Sequence, residues 1–544
     1  MKQPRRQFLQ TVAAGGSSLS LRAALPPAGA IPIDVGRQLF FDDFLIAEAK
    51  NVRRGFHKPQ LYEGNPVLKP ETAIEMNDGL RPCAAPFNDG VWYNPKDRLF
   101  KMWYQAGWYD GVAYAISEDG LHWKRPTLDV EPGTNLVLPR RRNYDRDGRI
   151  VWLDHAAGSP LQRYKMFIYY RHRPGDGIPA PERHWVTSKQ WDWEASEVRT
   201  SPDGMHWSEP GHTGACGDNS GIFYNPFRKT WVYTIRARRP RGRSRAWREH
   251  PDLLAGVGWK NDWQAKGPEV NFWLHADDLD LPDPELNLRS ELYDVDATPH
   301  ESVMAGVLAL YKGPTGKNAP KMNDLTVAFI RDGFEWIRPD RTPFLACSRQ
   351  PGTWNRGYLH AAGGICLVVG EKLYFYFAAW SGISPKKGID IYAGASTGLA
   401  MLRRDGFASM DGPPTAIPAA EPSKELGLLT TRPVTFQGRY LFVNANASYG
   451  EIRVEILDAD NRPIEPFSLA NCVPIKTDST KIAVSWQHEK DLGALAGKPV
   501  RFRFQLNGGQ LYSFWVSPET SGASRGYVAA GGPAFTGATD TTGA

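Results

Sequence analysis

The feature that most constrains this chain is a short phrase that occurs twice almost unchanged. Residues 117–123 read SEDGLHW and residues 201–207 read SPDGMHW, and weaker forms occur at 331–336 and 404–407. Asp and Gly favour a tight hairpin turn, and Trp supplies a large apolar group beside it. Such a turn repeated along a chain is typical of stacked antiparallel sheets, the blades of a β-propeller.

Strand and turn patterns around these phrases divide the chain into five similar modules. Their first strands begin near Asn88, Ile150, Gly221, Tyr293 and Gly363. The chain also contains 19 Trp, 21 Tyr and 24 Phe with 53 Gly and 43 Pro, a composition that suits short, aromatic-rich strands joined by turns. We therefore predict an all-β fold that contains a five-bladed β-propeller.

The pattern changes after the fifth module. A stretch rich in Pro and Ala is followed by longer alternating strands, which favour a β-sandwich, and then by a Gly-, Ala- and Thr-rich end. The predicted domains are a propeller over 31–410, a linker over 411–430, a C-terminal β-sandwich over 431–520 and a disordered tail over 521–544.

The first thirty residues resemble a bacterial Tat export signal. Arg5 and Arg6 are followed by Phe-Leu, by a weakly apolar stretch and by Ala-Gly-Ala at 28–30, an A-x-A cleavage pattern. We expect residues 1–30 to be removed and the mature protein to be periplasmic or secreted, with a flexible basic tail as the alternative. The apolar stretch is too short to span a membrane.

Charge and cysteine content exclude some classes of function. The net charge of +6 is modest for 544 residues, so we expect no nucleic-acid partner. Five scattered cysteines show no CxxC and no metal-ligand spacing, so the sequence predicts buried free thiols, no metal site and no cofactor.

Candidate site residues follow from the architecture. In a propeller, the innermost strand of each blade directs its first residues towards a central funnel. Acidic residues recur at these positions, and carboxylates are the groups that glycoside hydrolysis needs. The catalytic candidates are Asp89, Asp154, Asp218 and Glu301. The substrate-binding candidates are Arg81, His155, His300, Tyr358, His360 and Arg236.

Each catalytic candidate has a structural alternative. Asp89 lies in Asn-Asp-Gly, which is also a common turn sequence. Asp154 could belong to a buried hydrogen-bonded pair with its neighbour His155, and histidines more often pack or orient than bind a ligand. Glu301 enters an apolar strand, and Asp218 lies in a polar loop.

Five blades followed by a sandwich resemble the glycoside hydrolase family 32 fructosidases, and the propeller alone is similar to family 43. Residues 88–90, Asn-Asp-Gly, resemble a shortened form of the family 32 nucleophile motif, which implies that Asp89 is the nucleophile. The resemblance implies a stabilising or tuning role for Asp154. The family 32 acid, a Glu in a Glu-Cys motif on the third blade, is missing here, and that blade offers Asp218 instead.

The expected function is therefore an exported glycoside hydrolase acting on an oligo- or polysaccharide. A sialidase-like hydrolase is one alternative, for which Arg81, Arg236 and Arg356 are candidate arginines, and a non-catalytic carbohydrate-binding propeller is another. The arginine-rich run at 236–245 is either a solvated loop or a site for a carboxylated or sulfated sugar, because guanidinium groups match such oxyanions.

Overall fold

The computed structural model describes residues 29–141, 143–238, 242–262, 265–313, 320–331, 334–413 and 426–544. The predicted signal peptide, apart from residues 29 and 30, and most of the predicted linker lie outside these ranges. With 46% strand and 3% helix, the chain has the predicted all-β class. The helical segments described are an α-helix at Ala73–Met76 and 3-10 turns at Asn77–Gly79, Pro160–Gln162, Ala255–Val257 and Gly493–Leu495.

Three four-stranded sheets follow one another in the middle of the chain. In the first two, consecutive strands pair antiparallel, and in the third the fourth place is taken by a strand from the C-terminal end. The first contains Tyr144–Leu153, Tyr164–His172, Trp193–Ser201 and Gly211–His212. The second contains Gly221–Asn225, Thr230–Ala237, Ser244–His250 and Asn271–His275. The third contains Glu291–Glu301, Val303–Gly313, Met322–Ile330 and Tyr527–Val528.

The first and fifth sequence modules share one nine-stranded sheet. They are joined where Cys83 and Ala84 pair in parallel with Ala395 and Ser396. The strands of this sheet are Gln60–Leu61, Cys83–Asn94, Leu99–Ala106, Gly111–Ser117, Leu136–Leu138, Gly357–Ala361, Leu367–Val369, Lys372–Trp380 and Ala395–Arg403. A small hairpin, Ile383–Ser384 with Gly388–Ile389, lies between two of them.

The first strand of each module contacts the first strands of its neighbours. We refer to these as the inner strands: Cys83–Asn94, Tyr144–Leu153, Gly221–Asn225, Glu291–Glu301 and Gly357–Ala361. Contacts run along this order from the first strand to the fourth, and the fifth strand also contacts the first. The fourth and fifth are joined by side chains, since the hydroxyl groups of Tyr293 and Tyr358 are 3.0 Å apart.

The repeated phrase forms the same turn at both complete copies. In the second copy, the Ser201 hydroxyl accepts hydrogen bonds from the backbone N–H of Asp203 and of Gly204, and Gly204 has the positive φ of 84° that glycine tolerates. The indole N–H of Trp103 donates to the carbonyl of Gly204 over 2.7 Å. The turn therefore connects neighbouring modules, as the sequence suggested.

The C-terminal part consists of two sheets around a common apolar core, in which the Phe504 and Phe514 rings are 5.4 Å apart. One sheet contains Gln38–Leu39, Arg53–Phe56, Ala408–Asp411, Tyr440–Asn446, Asp478–Ala483 and Gln510–Ser517. The other contains Ile46–Lys50, Gly427–Thr431, Glu451–Leu457 and Arg501–Asn507. Ile31–Pro32 pairs with Val434–Thr435.

These pairings correct the predicted domain boundaries. Residues 31–56 were assigned to the propeller, but their strands pair with the C-terminal sheets, because their apolar side chains complete the core there. The all-β class is confirmed, whereas the count of five blades and the sandwich topology stay predictions.

The tail over 521–544 is ordered, which corrects the prediction of disorder. Tyr527–Val528 pairs with the inner strand Glu291–Glu301, and Asp540 is fully buried. Small residues permit this close packing, since Gly526 lies against the backbone of Glu301. The Gly-, Ala- and Thr-rich composition indicates flexibility, but small side chains also allow a segment to pack closely against another part of the chain.

Charged side chains from four parts of the chain meet beside this tail. We call Arg37, Glu301, Arg404, Asp405 and Asp540 the sealed cluster, since each is at most 1% exposed. One Arg404 nitrogen lies 3.1 Å from Glu301 and 3.3 Å from Asp540, and Arg37 lies 3.1 Å from Asp405. This network fastens the tail and the N-terminal segment to the fourth module.

Candidate functional site

A cavity of about 410 Å³ lies where the inner strands begin. Its wall takes side chains from each of the five modules, so no single stretch of sequence contains it. The charged and aromatic residues of the wall include Tyr109, Asp147, Tyr169, Arg171, Trp191, Asp218, Arg236, Arg238, Tyr293, Lys321, Tyr358 and Tyr392.

Asp147 occupies an irregular position in its strand. The pairing of Tyr144–Leu153 with Tyr164–His172 shifts register between Arg146 and Arg149, and Gly148 inside this bulge has φ of 83°. A bulge changes the direction of a side chain, and bulges are common beside active sites. The Asp147 carboxylate accepts a hydrogen bond from the Tyr109 hydroxyl at 3.0 Å.

Asp218 lies in the loop before the inner strand Gly221–Asn225 and is connected to Asp147 by one guanidinium group. Arg171 Nη2 lies 2.7 Å from Asp147 Oδ2 and 3.3 Å from Asp218 Oδ2. The two carboxylate oxygens are therefore no more than about 6 Å apart, an upper limit that includes the separation of about 5–5.5 Å between the carboxyl groups of retaining glycosidases. Arg236 forms a second ion pair with Asp218.

The surroundings push the pKa values of these two carboxyl groups in opposite directions. Burial raises the pKa of Asp147, and the negative charge of Asp218 adds to this increase, although Arg171 opposes it. Burial would also raise the pKa of Asp218, but Arg236 and Arg171 together hold that pKa at about 2. Asp147 is therefore the member of the pair suited to carry a proton, and Asp218 the member that stays ionised.

Two tyrosines in the cavity wall have strained backbones. Tyr109 and Tyr358 have φ of 63° and 57°, a region that bulky residues rarely adopt. Such strain persists only where the surrounding structure enforces it, and it occurs preferentially at functional sites. Both tyrosines direct polar contacts inward, since Tyr109 binds Asp147 and the Tyr358 hydroxyl accepts from Lys321 at 3.2 Å.

A third carboxylate lies behind the wall. Glu194 is opposite Arg171 in the strand ladder and is fully buried. Thr187, a wall residue, donates a hydrogen bond to Glu194. Burial raises the pKa of Glu194, while Thr187 and Arg171 lower it. Glu194 is thus placed to orient Arg171, without contact to the cavity.

The structure brings three of the predicted site residues into the cavity wall: Asp218, Arg236 and Tyr358. It does not bring together the four predicted carboxylates. Sequence reasoning missed Asp147 because it placed the start of the second inner strand at Ile150, whereas the strand begins at Tyr144. The Asp-Gly pair before Arg149 was the signal that could have revealed the bulge.

Asp89 is buried outside the wall. Its carboxylate is held by both Arg149 Nε at 2.7 Å and Arg149 Nη2 at 3.0 Å, with neither side chain exposed. Because a bidentate, solvent-free pair of this kind leaves the carboxylate no open face, the structure corrects its assignment as nucleophile. His360 is likewise buried, and its Nδ1 lies 2.5 Å from Asp294.

Four further candidates lie at the C-terminal ends of their strands, away from the cavity. Asp154 follows Leu153, seven residues beyond Asp147, which in an extended strand corresponds to about 20 Å. It pairs with Lys165 at 2.6 Å, and His155 is its neighbour. Glu301 ends its strand inside the sealed cluster, and His300 contacts Asp405 at 3.2 Å. These residues are corrected to structural positions.

The remaining candidates concern the sialidase-like alternative. Arg81 pairs with Asp390 at 3.0 Å, and neither Arg81 nor Arg356 is a wall residue. The described wall includes Arg171, Arg236 and Arg238 but no glutamate that could activate a tyrosine nucleophile. We therefore do not propose this function.

The described ranges contain no group of three or more His, Cys, Asp or Glu side chains that could hold a metal ion. No helix within them is long and apolar enough to cross a membrane. All five cysteines are buried and free.

Comparison with known proteins finds similarity only among solved structures, since no family model and no curated protein matches the chain. An N-acetylgalactosamine deacetylase from F. plautii is 12% identical, with 66% of this chain and 97% of that chain covered and a TM-score of 0.43. A thermostable family-43 glycoside hydrolase is 13% identical, with 63% and 99% covered and a TM-score of 0.37. A fructofuranosidase from Schwanniomyces occidentalis is 11% identical, with 82% and 98% covered and a TM-score of 0.36.

Because the identities and TM-scores of these structures are low, we take nothing about activity from them.

Proposed function

We propose that this protein is an exported glycoside hydrolase with a five-bladed propeller, in which Asp147 is the general acid and Asp218 the nucleophile. The observation that carries this proposal is the pair itself: two carboxyl groups no more than about 6 Å apart, in one cavity, with pKa values moved in opposite directions. The ring of inner-strand contacts supports the propeller. The sequence signal at 1–30 supports export to the periplasm or beyond.

The short separation favours a retaining mechanism. Asp218 attacks the anomeric carbon while the bond to the leaving oxygen breaks, and that oxygen takes the proton of Asp147. In the second step Asp147, now a carboxylate, removes a proton from water. The resulting hydroxide displaces Asp218 from the anomeric carbon and regenerates both groups.

The hydrogen-bond partners of Asp147 fit its role as an acid. Tyr109 donates to Oδ2, and Arg171 Nη2 also lies beside Oδ2. Oδ1 is therefore the oxygen on which the transferable proton would reside. Arg171 stabilises the carboxylate that forms when this proton leaves.

The aromatic residues of the wall suit a sugar substrate. The cavity is lined by Trp191 and several tyrosines, whose rings pack against the apolar faces of sugars and whose hydroxyl groups form hydrogen bonds. A volume of 410 Å³ accommodates a small ligand such as one or two sugar rings.

The proposal is tested by reducing-sugar release from a panel of plant and algal glycans, with Asp147→Asn and Asp218→Asn compared with the wild type. We expect each variant to lose about 100- to 10,000-fold in kcat. Asp154→Asn is the matched control, because it neutralises a carboxylate outside the cavity, and it should keep kcat within about two-fold of the wild type. Full activity in Asp218→Asn would exclude the assignment, and ¹H NMR of the first product should show retained anomeric configuration.

One observation favours a non-catalytic carbohydrate-binding protein as the second candidate. Both oxygens of Asp218 face guanidinium groups, one from Arg171 and one from Arg236, which stabilises the carboxylate but also occupies it. Under this alternative, glycans bind to the cavity and are recovered intact. Binding measured by calorimetry together with analysis of the recovered glycan distinguishes the two candidates.

A further inference from the structure

The cavity contains more positive than negative charge. Four cationic side chains, Arg171, Arg236, Arg238 and Lys321, face two carboxylates, those of Asp147 and Asp218. Arg171 and Arg236 form ion pairs with these carboxylates. Among the described residues, no carboxylate lies within ion-pair distance of Lys321 or Arg238.

Lys321 is held by aromatic residues rather than by an acid. Its ammonium group donates to the Tyr293 hydroxyl at 3.0 Å and to the Tyr358 hydroxyl at 3.2 Å. It lies 4.6 to 5.3 Å from the ring centres of these tyrosines and of Tyr392. Aromatic rings and hydroxyl groups stabilise a cation without neutralising it, so the positive charge remains available to a ligand.

Arg238 extends the positive region on the same wall. Arg238 is exposed, but partial desolvation lowers the pKa of its guanidinium, and repulsion from Arg236 and Arg243 lowers it further. Confining like charges in a narrow space is unfavourable, and an anion bound between them removes this cost. Arg243 is already paired with Glu291, so it contributes repulsion without competing for the ligand.

We propose that the substrate carries an oxyanion, as a carboxylate or a sulfate ester on its sugar, and that Lys321 and Arg238 bind this group. That the ligand is a sugar rests on the proposed glycoside hydrolase function, whereas the anion site does not depend on it. Guanidinium and ammonium groups are the side chains that recognise such oxyanions. Lys321 and Arg238 would then set specificity, while Asp147 and Asp218 carry the chemistry.

The test measures binding rather than turnover, so that its failure can be told apart from failure of the hydrolase assignment. Sodium sulfate, sodium glucuronate and glucose are titrated separately into Asp147→Asn by calorimetry at constant ionic strength set with chloride. Asn resembles the protonated acid in shape and charge and prevents hydrolysis. We expect sulfate or glucuronate to bind at least 10-fold more tightly than glucose, with glucuronate favoured for a carboxylated sugar and sulfate for a sulfate ester.

Substitutions in the same background identify the residues responsible. Lys321→Met and Arg238→Ala should each weaken anion binding at least 10-fold, and Arg238 is exposed, so its removal leaves folding intact. Lys124→Met is the control, since it removes a surface lysine that is 73% exposed. The proposal is wrong if neither anion binds more tightly than glucose, or if both cavity variants retain the anion affinity of the Asp147→Asn protein.

Discussion

Two regions of this molecule use the same residue types for opposite purposes. The cavity and the sealed cluster both combine aspartate or glutamate with arginine, and both join distant parts of the chain. In the sealed cluster each of the five side chains is at most 1% exposed and is matched by an opposite charge. In the cavity the carboxylates face open space, and positive charge is in excess.

The comparison shows that residue type does not distinguish a site from a structural network. What distinguishes them is solvent access and charge balance. A solvent-free network in which each charge has an opposite partner stabilises the fold, whereas a solvent-accessible cavity with excess charge can still bind a ligand. Glu301 and Asp218 illustrate the difference, because each contacts two arginines but only Asp218 faces a cavity.

The largest expected loss of stability comes from a substitution that disrupts the sealed cluster. Glu301→Gln leaves Arg37 and Arg404 buried with less opposing charge, and disruption of a buried network typically costs about 3–5 kcal/mol. Urea unfolding should show this loss, whereas Asp218→Asn, whose side chain is 20% exposed at the cavity, should lose less stability than Glu301→Gln. The comparison fails if Glu301→Gln is as stable as the wild type or if its folded fraction has lost kcat.

The next effect concerns the pH dependence of the cavity pair. Activity requires Asp218 ionised and Asp147 protonated, so kcat/KM should fall as pH rises through the raised pKa of Asp147, with an acid limit near the Asp218 pKa of about 2. On an activated aryl glycoside, whose leaving group needs no proton, Asp147→Asn should lose the fall at higher pH. A profile that increases towards alkaline pH would reverse the acid and base assignments.

The smallest expected loss of stability comes from substitutions in the repeated turn. Ser201→Ala removes the hydroxyl that accepts from Asp203 and Gly204, and the loss of these contacts should cost about 1 kcal/mol. Ser117→Ala should cost a similar amount, because the first copy makes the same contacts. Thermal unfolding measures both losses, and a change in kcat at constant stability would show that the turn affects the cavity.

Much of the architecture was predictable because it is local. Turn residues and alternating strands depend on near neighbours, so the repeated phrase located modules and predicted the all-β class. The ends of the inner strands were harder to place. The predicted start of the second inner strand, Ile150, lies six residues after the observed start at Tyr144. The prediction therefore selected Asp154, at the other end of the strand, instead of Asp147.

The prediction of a disordered tail over 521–544 was wrong for a related reason. Its composition indicates flexibility when the chain is considered alone. Its order comes from partners more than 200 residues away, since Ser524 donates to Glu301 at 2.7 Å.

The sequence by itself therefore determined the class of fold, the modules and the kinds of side chain available for chemistry, because these depend on composition and short-range pattern. Only the tertiary structure decided which charges share a cavity and which neutralise one another in the core. Asp147 and Asp218 are 71 positions apart in the chain, and they meet through Arg171. Contacts over such separations depend on how the sheets pack and on a single bulge at Gly148, neither of which a linear pattern specifies.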